Sequence, residues 1–148
     1  MERTEIGNKL GVALAARLSA VVPPLISVQY RDGSVTVSAN DISWSAGSAV
    51  RELVDQPCDL AKAIEIAAWN ALDTIQDFVT EVLRTPWPSS DESLVKYGRS
   101  YLPPANAVVE GNMLNLCFGE KSDPVMLLPG IRLSEVMVPS AFRGPSIS

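Results

Sequence analysis

Hydrophobic positions along this chain change period several times, and each change marks an element. Ile6, Leu10, Leu14, Leu18 and Val21 recur at four, four, four and three residues, one face of a helix over about 3–20. Gly7 and Gly11 fall inside it, so this helix is expected to depend on docking rather than on propensity. Pro23-Pro24 ends it. Alternating segments at 25–31 and 34–39 then flank Asp32-Gly33, the favoured pair for a two-residue hairpin turn. That turn sets Arg31 opposite Ser34, Tyr30 opposite Val35, Gln29 opposite Thr36, Val28 opposite Val37 and Ile26 opposite Ala39. The apolar side chains thereby share one face. Ile42-Ser43-Trp44-Ser45 adds a third short strand after Asn40-Asp41, and 48–54 fits either a short helix or an irregular link.

The period then returns to that of a helix over 59–84. Leu60, Ile64, Ala67, Ala71, Ile75, Phe78 and Val82 form a stripe that Leu72, Val79 and Leu83 widen, which suits a helix lying across a sheet. Asp59 is the expected N-cap. Pro86 and Pro88 stop the helix, with Trp87 expected to fold back over its last turn. The segment 89–104 has no period and is read as a mobile connection. Strands at 106–109 and 113–118 flank the turn Glu110-Gly111-Asn112, a loop follows at 119–124, and 125–128 is a further strand. Alternation over 131–138 suggests an added edge strand, and 139–148 a loose C-terminal tail.

The order is α-β-β-(β)-α-β-β-β. It predicts an α+β fold: one antiparallel sheet of about five strands, with an N-terminal helix and one long central helix packed on it. Residues 1–138 are expected to form a single domain. At 148 residues and 47% hydrophobic composition, the chain can build a core of its own. No apolar run approaches the roughly 20 residues of a membrane span. Glu2 and Glu5 precede the first apolar stretch, unlike the basic start of a signal peptide, so a cytoplasmic location is expected.

Composition narrows the chemistry. The chain has no histidine, which removes His-activated nucleophiles, His acid–base catalysis and most transition-metal sites. Cys58 and Cys117 lie far apart and outside any CxxC, and are expected as ordinary thiols. The net charge of −5 is concentrated: residues 55–92 hold eight acids against two bases, leaving the rest nearly balanced. Nucleic-acid binding needs clustered Lys and Arg, so it is not expected.

Asp73, Asp77 and Glu81 sit four apart on the polar side of the long helix, with Arg84 in reach of Glu81. They fit a solvated acidic face, a partner-facing surface, or, given ligands from elsewhere, a cation or acid–base site. Ile66 and Trp69 interrupt that face, either as a contact anchor or under the first helix or the 89–104 segment. Gly119-Glu120-Lys121-Ser122 lacks phosphate-loop spacing and reads as a hairpin loop. The late strands, with Met113, Met126 and Leu127-Leu128, would suit a dimer or an extended peptide wherever a face stays uncovered.

At the level of topology, a small acidic chain with helix, strands, helix, strands resembles the secretion-chaperone type of α+β fold. That resemblance implies dimers that hold partner segments. The leading expectation is a non-enzymatic protein-interaction module (adaptor, chaperone or inhibitor-like), using the acidic helix face at Ile66, Trp69, Asp73, Asp77 and Glu81 or an exposed strand. A protein partner is expected, with a homodimer as one form, and no cofactor, metal, nucleic acid or membrane. The alternative is a small-molecule binding domain with an apolar pocket between helix and sheet. An enzyme working through carboxylates is the least supported reading.

Overall fold

The first helix owes its position to its two glycines. The computed structural model describes residues 2–137, and the tail expected at 139–148 lies outside them. Helix α1 runs over Arg3–Ser19 and buries Ile6, Leu10, Leu14 and Leu18. A Cβ on Gly7 would stand 2.6 Å from the Val50 Cα, and one on Gly11 would enter the Tyr30 ring. The glycines thus let α1 press against α2 (Ala49–Asp55) on one side and strand β1 (Ser27–Arg31) on the other. The Arg3 guanidinium fixes the first of these contacts, donating to the carbonyls of Leu53 at 2.9 Å and Cys58 at 2.8 Å. A cation there also suits the carbonyl-rich end of α2.

Strands β1, β2 (Ser34–Ala39) and β3 (Ile42–Ser45) form one antiparallel sheet in the order β1-β2-β3. The pairs Arg31↔Ser34, Tyr30↔Val35, Gln29↔Thr36 and Val28↔Val37 stand as the Asp32-Gly33 turn dictates. Ile26 lies just before β1 and is buried, as are Val28, Val35, Val37 and Ala39. Helix α3 (Leu60–Leu83) begins at Asp59, whose carboxylate accepts the Lys62 N–H at 2.8 Å. Its buried face includes Ile64, Ala67, Ala68, Ala71, Leu72, Ile75, Phe78 and Val79. Arg84 closes it in the left-handed conformation, and Trp87 folds back, its N–H donating to the Thr80 hydroxyl and its ring meeting Phe118 edge-on.

The expectation of a single sheet of about five strands is corrected. A second three-stranded antiparallel sheet, in the order β4-β5-β6, comprises β4 (Ala105–Glu110), β5 (Met113–Glu120) and β6 (Asp123–Arg132). It does not pair with the first, because α3 stands between them. Phe78 of α3 meets Trp44 of β3, whereas Glu65 of α3 bonds β4. Three further expectations change. The 89–104 segment contains α4 (Asp91–Tyr97), started by a Ser90/Ser93 capping box and held by a Lys96–Asp123 ion pair at 3.1 Å. The expected loop at 119–124 shrinks to a turn at Lys121-Ser122, which joins β5 to a longer β6. The expected strand at 131–138 is instead the end of β6 followed by α5 (Leu133–Met137), with Leu133 and Val136 buried against the core.

Candidate functional site

Helix geometry puts Ile66, Trp69, Asp73 and Asp77 on the side of α3 opposite its buried stripe, with Glu81 at the margin. The structure therefore brings the five sequence-derived candidates onto one face. Trp69 is 44% exposed, so neither α1 nor the 89–104 segment covers it. Ile66 and Asp73 are half-buried, while Asp77 and Glu81 are exposed. Asp73 titrates above the usual carboxylate value, chiefly because burial disfavours its charge and secondarily because Asp77 stands near. The expected Glu81–Arg84 ion pair is not formed among the described residues. Arg84 caps the helix at φ 61°, which turns its backbone off the helical path.

This face is bordered on both sides by the edge of a sheet. On the Trp69 side, a groove of about 290 Å³ separates α3 from β4, lined by Lys62, Glu65, Ile66, Trp69, Asn70 and Ala107. Here Glu65 reaches the strand: one carboxylate oxygen accepts the Val109 N–H at 2.7 Å, and the other lies 3.7 Å from Lys62. Because Asn106, Val108 and Glu110 face β5 in the ladder, Val109 points its N–H outward, and Glu65 satisfies it.

On the Glu81 side a second groove, of about 440 Å³, opens between α3 and β3. Its walls are Ala39, Ile42, Trp44, Phe78 and Val82, with Glu81 and Arg84 at the rim. Ile42 and Trp44 pair with Ala39 and Val37, so they sit on the core face of the sheet. The core does not reach them: Ile42 is 52% exposed and Trp44 39%. The Trp44 ring meets Phe78 edge-on, with centroids 5.0 Å apart. Sequence reasoning placed this strand but missed the groove. The signal was present in Ile42-Ser43-Trp44-Ser45, an alternation whose apolar members had no assigned cover.

Elsewhere, Cys58 and Cys117 are both free thiols, and burial pushes the Cys117 thiol above its usual range. Among the described residues, no group of three or more His, Cys, Asp or Glu side chains is arranged to hold a metal ion, and no helix is long and apolar enough to cross a membrane.

Comparison of the chain with protein-family models, curated proteins and solved structures yields no match. Fold and surface alone therefore define its class. It is an α+β protein whose longest helix, acidic and bearing a half-exposed tryptophan, lies between the edges of two small antiparallel sheets.

Proposed function

We propose that this chain is a non-enzymatic protein-interaction module, of the adaptor, chaperone or inhibitor kind, which binds a basic segment of another protein along the outward face of α3. The observation that carries this reading is Trp69, half in solvent on a helix face where Asp73 and Asp77 follow. A large rigid aromatic contributes strongly to binding once a partner covers it, and clustered carboxylates steer a basic partner toward it. The same charges disfavour pairing two copies through this face, because Asp73 and Asp77 would meet their own kind. The test is affinity capture from an extract of the source cells with wild-type protein and with Trp69→Ala. Captured proteins are identified by mass spectrometry, and the strongest is then purified for binding measurements. The reading expects a partner lost in Trp69→Ala, with affinity falling at least about ten-fold. Equal binding by both forms would defeat it.

A second reading rests on the groove beside Trp44. Its volume of about 440 Å³ lies within the range of small-ligand sites. Under that reading, a metabolite raises the melting temperature of the wild type but not of Trp44→Ala.

A further inference from the structure

The four sheet edges of this molecule are not equivalent. The β4 edge is occupied by Glu65. The β6 edge carries Pro124 and Pro129, the latter within an irregularity in register between Leu128 and Ile131. Helix α1 lies against β1, with Gly11 facing the Tyr30 ring and the Tyr30 hydroxyl donating to Asn8, and the exposed side chains of that edge strand are Ser27, Gln29 and Arg31 rather than apolar ones. The β3 edge carries none of these devices among the described residues. Ile42 and Trp44 take the inward ladder positions toward β2, and the bond from the Ala46 N–H to the Val35 carbonyl continues that phase. Ser43 and Ser45 therefore turn their backbone groups outward. All four β3 residues are exposed, and the two apolar ones overlook the groove floored by Phe78.

We propose that the outer edge of β3 accepts an extended segment of a basic partner protein as a fourth, antiparallel strand. Two apolar side chains of that segment, two residues apart, enter the Ile42–Trp44–Phe78 groove. This deepens the interaction reading above and rests on it. The occupant is set by geometry and by charge. Residues opposite Ser43 and Ser45 exchange backbone hydrogen bonds and keep their side chains on the outer face. Their alternate neighbours share the face of Ile42 and Trp44. Glu81 and Arg84 line the groove, exposed Asp41 directly precedes Ile42 in the chain, and the protein carries a net charge of −5, so lysine or arginine flanking the apolar pair is favoured. A second copy of this chain would bring together two proteins each of net charge −5, which disfavours it as the occupant.

The probe is a fluorescein-labelled nonapeptide with valines at its fourth and sixth positions, threonines between and beside them, and two lysines at each end. Binding is followed by anisotropy, and amide exchange at Ser43 and Ser45 by NMR on the intact chain. The expected result is saturable binding that slows exchange at both amides. N-methylation of the central threonine removes a donor facing β3 and should weaken binding at least about ten-fold. N-methylation of a valine removes a donor facing away and should change binding less than about three-fold. Ser43→Pro should match the threonine-methylated probe, because the Ser43 N–H is not used within the sheet. If that variant fails to fold, the two methylated probes still decide. Binding without protection of Ser43 and Ser45, lost when Asp73 and Asp77 become Asn and Glu81 becomes Gln, overturns strand addition and leaves the helix-face reading standing. Absence of binding at millimolar probe overturns strand addition, with the helix-face reading judged separately by the Trp69→Ala capture. Protection of β3 without probe, in a dimer found by light scattering, assigns the edge to a second copy and also overturns it.

Discussion

Phe78→Ala probes the joint between the long helix and the first sheet. Phe78 is 1% exposed, and its ring meets Trp44 edge-on at 5.0 Å. Truncation of a buried phenylalanine costs about 3–5 kcal/mol, the larger values arising where the void cannot relax. Here the void adjoins an open groove and a tryptophan that is half free to move, so collapse or hydration is easy. The lower end, about 3 kcal/mol, is expected. For a chain of this size that corresponds to a fall in melting temperature of about 6–12 °C. Urea unfolding followed by tryptophan fluorescence and by far-ultraviolet dichroism measures it, with an unchanged m-value confirming that only stability moved. Phe78→Leu, which keeps most of the volume, should lose less than half as much. A loss below about 1 kcal/mol for the alanine variant would refute the packing argument, because such a value belongs to a side chain outside the core.

Other expectations follow from single contacts. Gly11→Ala should destabilise by about 1–3 kcal/mol despite a better helix propensity, because the new methyl meets the Tyr30 ring; a gain in stability on thermal melting would contradict the close approach. Glu65→Ala should cost about 1–3 kcal/mol by leaving the Val109 N–H unsatisfied, while Glu65→Gln, which keeps an acceptor, should cost less; equal losses in urea titrations would count against that bond. Asp73 has a folded-state pKa above its ordinary 3.8, so the folded protein holds this proton more tightly than the unfolded chain. Its contribution to stability is therefore present at low pH and lost as pH rises through the folded value. Asp73→Asn should consequently gain on the wild type over the acidic range as pH increases, and a relative loss over that range would show that Asp73 has a stabilising partner.

The parts of this fold that read directly from sequence are those settled within a few residues. Asp32-Gly33 fixes a register because the turn admits only one alignment of the apolar positions. Asp59 and the prolines at 86 and 88 bound α3 for equally local reasons. The division into two sheets was not legible, since it depends on which strand edges face α3, and no local pattern encodes that. Alternation over 131–138 suggests a strand, but Leu133, Val136 and Met137 also stand at helical spacing, and packing against α1 decides for the helix. Helix α4 did have a local signal in Ser90, Asp91, Glu92 and Ser93, which the surrounding prolines and serines obscured. The five candidates on α3 share a face as helical spacing required. The grooves on either side of them depend on distant strands and became visible only in three dimensions.

The central claim is that the outward face of α3 meets a basic partner, and the sharpest test is association kinetics across salt concentration with that partner in hand. The comparison is between wild-type protein and a variant carrying Asp73→Asn, Asp77→Asn and Glu81→Gln together. Exposed substitutions such as those at Asp77 and Glu81 usually change stability by less than about 0.5 kcal/mol, and Asp73→Asn is expected to stabilise the fold above the acidic range, so slower association reports the interface. The account predicts that the wild-type association rate falls steeply as salt rises, and that the variant associates at least about five-fold more slowly at low salt with a much flatter dependence. Identical rates and identical salt slopes for the two proteins would contradict it.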